Sequence, residues 1–256
     1  MLIPWELAAI QGDDSQIQIF GAVASIGRWP MKLFSEDQHS TGKTQGILTK
    51  GPISRDLSLS DIRAVSDQQA DNLPNARLEV EHLEREYAAK LIPAKPTPIL
   101  RCLNTDTQWD LLHFAIHGKY RPSTVHNGLD LGDGDFISPA DVQGAFTSLN
   151  GVVFINACQV GAPEQILGDW SGLPLEFLSQ GVQVVIAAWW SIDDKTAKTV
   201  ALAVYDNAKE IAPAETIRRY KSQFDLRPDQ ETISMSVLAY QFHGHPTTRF
   251  VMSSND

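Results

Sequence analysis

Short apolar runs alternate with helically periodic segments along most of the chain. Three near-continuous apolar runs of six or seven residues lie at Leu111–Ile116, Val152–Ala157 and Val182–Ala188. Runs of this length, rich in Val and Ile, are typical of strands buried on both faces of a parallel sheet. Helical segments precede and follow them, so the pattern predicts an α/β sandwich on a mostly parallel sheet.

The remaining pattern predicts the other elements. Residues 76–91 are periodic enough for an amphipathic helix, with Leu78, Leu83, Tyr87 and Leu91 near one face and Pro93 after its end. Further helices are predicted at 173–179, 194–210 and 231–242. Further strands are predicted at 17–29 (interrupted by glycines), 46–50, 99–103 and 248–252, with a hairpin at 128–138.

Composition excludes several classes of function. The 256 residues carry a formal net charge of −10, which disfavours direct binding to nucleic acid or to a membrane surface. No apolar run reaches the roughly 18 residues that a membrane span requires. The two cysteines cannot form a disulfide framework or a four-thiolate zinc site. With no export signal at the N-terminus, we expect a protein of the reducing cytoplasm.

The residues that directly follow the three apolar runs are the candidates for chemistry. Ligands of open α/β sheets bind beyond the carboxyl ends of the strands. His117 and Gly118 follow the first run, and Cys158 follows the second. The third run is followed by two tryptophans and two acidic residues: Trp189, Trp190, Asp193 and Asp194. The sequence therefore predicts that a histidine, a cysteine and an acidic segment meet at one edge of the sheet.

A histidine beside a cysteine suits nucleophilic catalysis. A free thiol has a pKa of about 8.5, so little of it is thiolate at neutral pH. A neighbouring imidazole accepts the proton of the thiol and later protonates the leaving amine. Glycine next to the histidine allows a substrate carbonyl to approach backbone N–H donors. Cys102 lies in a predicted strand and is expected to be part of the core, and His113 is expected to be a buried, hydrogen-bonded side chain.

Two segments around the histidine and the cysteine carry a family resemblance. HFAIHG (113–118) and FINACQVG (154–161) resemble the two catalytic motifs of the CHAT peptidases, which are related to caspases and separase. Five further segments are similar to that family: IPWEL (3–7), SIGRW (25–29), LPNARLEVEHL (73–83), AAWWSIDD (187–194) and VLAYQFHGHP (237–246). The resemblance implies a caspase-like three-layer sandwich with a mostly parallel central sheet. It implies one domain over residues 1–256, with an N-terminal strand and loop portion at 1–60 and a catalytic core at 73–256.

The resemblance also implies a function and its residues. His117 would act as general base and acid, Cys158 as nucleophile, and the backbone N–H groups of Gly118 and Cys158 as the oxyanion hole. The expected activity is a cysteine endopeptidase without metal or cofactor, acting on a protein or peptide substrate in bacterial signalling or defence, under a regulatory or tetratricopeptide-repeat partner. The sequence departs from the family at two positions. Ile116 stands where the family often has Cys, and Asn156 stands where the family commonly has Ser.

Two other classes of function compete with the peptidase. The first is a catalytically idle protein-interaction module of the same fold. This alternative is disfavoured because the chain has His117, Gly118 and Cys158. The second is a nucleotide- or small-molecule-binding domain, but STGKT (40–44) lacks the first glycine and the buried strand of a phosphate-binding loop. Two metal-like patterns are also set aside: Asp130, Asp133 and Asp135 lack the spacing of a calcium loop, and His243 with His245 has no nearby partner ligand.

The acidic segment after the third run leads to a hypothesis about specificity. A carboxylate in a partly dry pocket selects a substrate residue of opposite charge, because an unpaired buried charge is costly. We therefore expect Asp194, or secondarily Asp193, to select Arg or Lys before the scissile bond, with Trp189 and Trp190 as pocket walls. The alternative is that the two acidic residues cap the helix that starts near Lys195, where Asp is favoured.

Overall fold

The computed structural model of the chain describes residues 5–11, 17–29, 52–67, 73–104, 109–119, 128–143, 151–158, 164–166, 169–223 and 235–252. Three predicted segments lie outside these ranges: the strand at 46–50, the STGKT segment at 40–44, and residues 231–234 of the last predicted helix.

Fifteen strands are present in the described part of the chain: β1 (Ala9–Gln11), β2 (Ile17–Ile19), β3 (Asp56–Leu59), β4 (Ile62–Ser66), β5 (Lys90–Pro93), β6 (Leu111–Ala115), β7 (His117–Lys119), β8 (Gly128–Gly132), β9 (Asp135–Ile137), β10 (Val152–Asn156), β11 (Glu164–Ile166), β12 (Asp169–Ser171), β13 (Val184–Ala188), β14 (Tyr240–His243) and β15 (Arg249–Met252). The same residues form seven α-helices: α1 (Phe20–Val23), α2 (Pro74–Tyr87), α3 (Pro96–Asn104), α4 (Pro139–Gln143), α5 (Leu173–Ser179), α6 (Asp194–Asp206) and α7 (Pro213–Ser222). Short 3-10 helices lie at Trp5–Leu7 and Met235–Ala239.

A six-stranded sheet forms the centre of the fold, in the order β5-β4-β6-β10-β13-β14. The first five strands are parallel, and β14 runs antiparallel to β13 at the edge. Every residue of β6, β10 and β13 is buried. Helices cover both faces of these strands, which explains why their sequences are near-continuous apolar runs.

Two apolar clusters, one on each face of the sheet, make the fold a three-layer sandwich. On one face, α2, α6 and α7 pack through residues such as Leu83, Val204 and Ile217 against Phe154 and other sheet residues. On the other face, α3, α4 and α5 pack against the sheet through Ile99, Leu103, Val142, Leu173 and Phe177. The predicted α/β class and the mostly parallel sheet are therefore confirmed.

The predicted strand at 99–103 is wrong, because these residues form part of helix α3. Ile99, Cys102 and Leu103 are the buried residues of that helix, at the i, i+3, i+4 spacing of one helical face. A short apolar segment cannot be assigned to a strand or a buried helix by periodicity alone. Cys102 does lie in the core, with 5% of its surface exposed.

The helix predicted at 231–242 is also wrong within the described residues. Met235–Ala239 is a 3-10 helix, and Tyr240–His243 is strand β14, buried at all four positions. Pairing with the open edge of β13 gives these backbone groups their hydrogen-bond partners, and this tertiary contact overrides the local pattern. The predicted strand at 17–29 is likewise interrupted, since Phe20–Val23 is helical.

The hairpin predicted at 128–138 and the strand predicted near 248–252 are both present in the structure. The hairpin at 128–138 is confirmed as the antiparallel pair β8–β9. Asp133 in its turn and Asp135 at the start of β9 have carboxylates that lie 3.1 and 3.9 Å from the ammonium group of Lys95. The predicted strand near 248–252 is present as β15, although it pairs with β3 outside the central sheet.

Helix α2 begins two residues before and ends four residues before its predicted bounds of 76–91, and only part of its predicted apolar face, Leu83 and Tyr87, packs against the core. It ends at Tyr87, after which Ala88 adopts a left-handed conformation (φ 51°) and the chain continues into β5. The buried face carries Ala76, Glu79, Val80 and Leu83. Leu78, which the sequence placed on the apolar face, is 48% exposed. A glutamate is thus turned into the core.

No helix among these residues has the length and apolar character needed to cross a membrane.

Candidate active site

The predicted histidine and cysteine follow neighbouring strands of the central sheet. Strands β6 and β10 are parallel, and their last residues, Ala115 and Asn156, pair with each other. His117 and Cys158 each lie two residues beyond those ends. The carboxyl ends of the two strands therefore bring the two residues to the same edge, as the sequence predicted.

The backbone at Gly118 lies directly against the backbone of Cys158. A β carbon added at position 118 would be 2.9 Å from the amide nitrogen of Cys158 and would overlap its carbonyl oxygen. Only glycine fits this approach without a shift of the backbone. The requirement for glycine beside His117 is thus explained by contact with the segment that carries the cysteine.

The two cysteines differ in their surroundings. Cys158 is partly exposed, and its thiol donates to the main-chain carbonyl oxygen of Ile192, 3.7 Å away. Cys102 is buried, and burial raises the pKa of its thiol, although a hydrogen bond from Arg63 opposes that shift. Thiolate chemistry is therefore disfavoured at Cys102, and reagents in solution have access to Cys158.

A buried polar network lies under the two strand ends. The carboxylate of Glu79, from α2, accepts from the Asn156 side-chain amide at 2.8 Å to each oxygen. Its Oε1 is also 2.5 Å from Nε2 of His113, whose Nδ1 lies 2.7 Å from the Tyr205 hydroxyl. The Tyr240 hydroxyl donates to Oδ1 of Asn156 at 2.6 Å. The prediction that His113 is a buried, hydrogen-bonded side chain is confirmed.

This network was only partly foreseeable. A histidine inside a fully apolar strand signals a buried partner, because a buried polar group without a hydrogen bond is costly. Nothing in the sequence identified Glu79 as that partner, since the predicted apolar face of its helix did not include this residue. Burial, and after it the charge of Glu79, raises the pKa of Tyr240 well above its usual range, and Cys158 and Asp193 add to the shift. Because Asn156 lies two residues before Cys158, the network adjoins the cysteine.

The two acidic residues after β13 both cap helices. Asp193 is exposed and accepts from the Thr196 N–H at 2.8 Å, which makes it the N-cap of α6. Asp194 caps a different helix: its carboxylate accepts from the backbone N–H groups of Asn75 and Ala76, at 2.8 and 3.1 Å, at the start of α2. The capping alternative is therefore confirmed for Asp193. The contacts of Asp194 favour a capping role for it too, on another helix than expected.

The two tryptophans face different surroundings. The guanidinium carbon of Arg28 lies 4.9 Å from the ring centroid of Trp189, within the range of a cation–π contact. The Trp189 backbone N–H donates to the Ala239 carbonyl at 2.9 Å. Trp190 packs against the core cluster on the α2 and α6 side of the sheet. These contacts hold the segment that leads to Ile192 and the cysteine sulfur.

A second polar cluster lies next to Trp189. Arg28 pairs with the carboxylate of Glu6, a residue that is 4% exposed. Burial lowers the pKa of Lys221 to about 8 and that of His243 to about 4, while Glu6 opposes both shifts.

Among the residues that the structure describes, no group of three His, Cys, Asp or Glu side chains is arranged to hold a metal ion.

Comparison with known structures supports the fold described above. The Saccharomyces cerevisiae separase–securin complex at 2.6 Å superposes with a TM-score of 0.53 and 13% identity, covering 77% of this chain and 13% of that chain. A second structure of the same complex, at 3.0 Å, has a TM-score of 0.49 and 12% sequence identity. It covers 76% of this chain and 12% of that chain. This chain therefore corresponds to only about an eighth of the matched structure's length. No curated protein matches the sequence significantly.

The central sheet and its flanking helices thus have the same fold as part of separase. Over residues 32–232 the sequence matches the CHAT domain, and the chain belongs to that family. The predicted resemblance to the CHAT family is thereby confirmed.

Proposed function

We propose that this protein is a cysteine endopeptidase in which His117 and Cys158 act as a catalytic dyad. The observation that carries the proposal is the placement of both residues just beyond the paired ends of β6 and β10, with Gly118 against Cys158. A base and a nucleophile at adjacent strand ends are what acyl transfer requires. Membership of the CHAT family supports the same assignment.

In the proposed reaction, His117 takes the proton of the Cys158 thiol, and the sulfur attacks the substrate carbonyl carbon. The oxyanion that forms accepts hydrogen bonds from the backbone N–H groups of Gly118 and Cys158. The C–N bond then breaks, the amine leaves with the proton held by His117, and a thioester remains on Cys158. Water, deprotonated by His117, cleaves the thioester, releases the second product as a carboxylate and restores the thiol.

The proposed substrate is a protein with Arg or Lys before the scissile bond. Asp193 is the favoured determinant, because it is exposed and follows Ile192, whose carbonyl contacts the Cys158 thiol. Asp194 is the weaker candidate, since backbone N–H groups of α2 already occupy both of its oxygens. Trp189 and Trp190 belong to the same segment and are proposed as neighbouring walls.

The proposed setting is regulated cleavage in the cytoplasm, in a bacterial signalling or defence system. Separase, which shares the fold, was crystallised with the protein securin. This supports a protein partner for the present chain, as substrate or regulator. A tetratricopeptide-repeat partner agrees with the family's association with such repeats.

Selective alkylation tests the proposed dyad against the idle interaction module. Iodoacetamide at pH 6 is expected to modify Cys158 much faster than Cys102, because an imidazole-paired thiolate persists below the ordinary thiol pKa. His117→Ala should slow the modification of Cys158 at pH 6, while Cys102 stays slow because it is buried. A Cys158 rate that is the same in the wild type and in His117→Ala would contradict the dyad and leave the interaction module as the function.

A further inference from the structure

The buried carboxylate of Glu79 connects helix α2 to the strand that leads to Cys158. Glu79 is 1% exposed, and both its oxygens accept from the Asn156 amide. Asn156 is the last residue of β10 and lies two residues before Cys158. The side chain that orients this strand end is therefore supplied by a helix on one face of the sheet.

The same carboxylate also reaches the strand that leads to His117. His113, four residues before His117, lies with Nε2 2.5 Å from Glu79 Oε1. The neighbouring strands β6 and β10 are thus joined by one acidic side chain, in addition to their backbone pairing. A displacement of Glu79 would change the relative position of both strand ends.

A second contact ties α2 to the segment next to the cysteine sulfur. Asp194 accepts from the N–H groups of Asn75 and Ala76 at the start of the helix, one turn before Glu79. Two residues earlier, Ile192 accepts from the Cys158 thiol. The first two turns of α2 are therefore bonded both to the strand ends and to the segment that contacts the sulfur.

Core stability alone does not account for a buried carboxylate. Taking a carboxylate out of water is costly, and an apolar set of similar volume usually stabilises a core as well or better. The neighbours of Glu79 on the same face of α2, Ala76, Val80 and Leu83, are apolar. What the carboxylate adds is a fixed direction for the Asn156 amide, because a hydrogen bond is directional and apolar packing is not.

We propose that Glu79 is a positioning residue for the dyad: it fixes the ends of β10 and β6 through Asn156 and His113, and so aligns the thiol of Cys158 with the imidazole of His117. This rests on the peptidase proposed above. Glu79 touches neither substrate nor the reacting atoms, so its loss should change the alignment of the pair and leave substrate binding intact.

The test compares Glu79→Gln with Val80→Ala in the full chain. Glutamine keeps the size of the side chain but turns an amide N–H₂ towards the Asn156 donor. Val80 is the next residue on the same helix and 2% exposed, so its truncation weakens the core without touching the network. The readouts are the rate and pH midpoint of Cys158 alkylation by iodoacetamide, resolved from Cys102 by peptide mass spectrometry, together with kcat and KM on a basic peptide.

For Glu79→Gln we expect the alkylation rate of Cys158 at pH 7 to fall about tenfold and its pH midpoint to rise, since a thiolate without an aligned imidazole returns towards ordinary cysteine. On the peptide, kcat should fall by about 10²-fold with KM unchanged. Val80→Ala should lower the melting temperature and leave the midpoint and kcat of the folded protein unchanged. Should Glu79→Gln fail to fold, Asn156→Ala removes the same link and carries the same expectation.

An alkylation midpoint that is the same in Glu79→Gln and Val80→Ala overturns the positioning role. If the wild type cleaves no peptide, the peptidase proposal fails by itself. The alkylation comparison needs no substrate and still decides whether Glu79 positions Cys158.

Discussion

Gly118 lies so close to Cys158 that a β carbon at position 118 would overlap the Cys158 carbonyl oxygen. Gly118→Ala should therefore shift one of the two backbone segments that supply the proposed oxyanion N–H groups. We expect kcat to fall by about 10²- to 10³-fold, the size typical for loss of one oxyanion donor. Peptide-cleavage kinetics at a matched folded fraction measure the effect.

Gly134→Ala is the matched control for this change. Gly134 lies in the β8–β9 turn at φ +87°, and an added β carbon there meets nothing within 4 Å. Alanine at that position should cost about 1 kcal/mol of stability through its backbone conformation alone. If both alanine variants lose activity equally, the close approach at Gly118 has no catalytic meaning.

His117→Ala should lower kcat by about 10²- to 10⁴-fold, the contribution of a positioned general base. His117 is only partly buried, so the melting temperature should change little. The control is His245→Ala, which removes another partly buried imidazole, one whose ring contacts Thr247. A His117→Ala variant with wild-type kcat would exclude this residue as the base.

Asp193→Ser separates the two roles of Asp193. Serine is a good N-cap and should keep the hydrogen bond to the Thr196 N–H, while removing the negative charge. We expect helix stability to be kept and the preference for Arg or Lys to be lost. A library profile of cleavage sites measures the change.

Asp194→Ala provides the comparison for the specificity segment. It leaves the N–H groups of Asn75 and Ala76 without their acceptor and should cost about 1 kcal/mol, as expected for a lost helix cap. The basic preference should persist in this variant. Loss of the preference in Asp194→Ala, with its retention in Asp193→Ser, would assign the pocket to Asp194.

Lys221 should make stability depend on pH in the alkaline range. Burial, partly offset by Glu6, lowers the pKa of this 3% exposed lysine to about 8, against about 10.4 for an unfolded lysine. Between these values the unfolded chain binds more protons than the folded chain, so stability rises with pH. The buried His243 nearby, with a pKa of about 4, stays neutral in this range.

Urea unfolding of the wild type and of Lys221→Met at about pH 7.5 and about pH 9.5 isolates this contribution. The stability of the wild type relative to Lys221→Met should increase at the higher pH. A constant difference between the two proteins would show that Lys221 keeps its ordinary pKa in the folded state.

The central sheet could be predicted because burial on both faces leaves a strong mark on the sequence. Strands β6, β10 and β13 are buried throughout, and each coincides closely with one of the apolar runs. Their parallel order also brings the residues after them together, so the histidine and the cysteine could be placed at one edge. Strand β4, in contrast, has a mixed sequence around Arg63 and could not be recognised before its pairing with β5 and β6 was known.

Long-range contacts account for most of what the sequence did not predict. Glu79 is buried because His113 and Asn156, which are distant in sequence, form hydrogen bonds with it. These bonds offset the free-energy cost of removing its carboxylate from water. The carboxylate of Asp194 bonds across 118 and 119 residues to the start of α2 instead of capping its own helix. Local propensity describes neither choice, because the partners are brought together only by the packing of α2 against the central sheet and against α6.

The most direct test of the peptidase is the identification of new protein termini in host lysate treated with the wild type, Cys158→Ala or Cys102→Ala. We predict new N-termini after Arg or Lys with the wild type and with Cys102→Ala, and none with Cys158→Ala. Circular dichroism should show that all three proteins are folded. Cleavage that persists in Cys158→Ala, or that is lost only in Cys102→Ala, would contradict the assignment of Cys158 as the nucleophile.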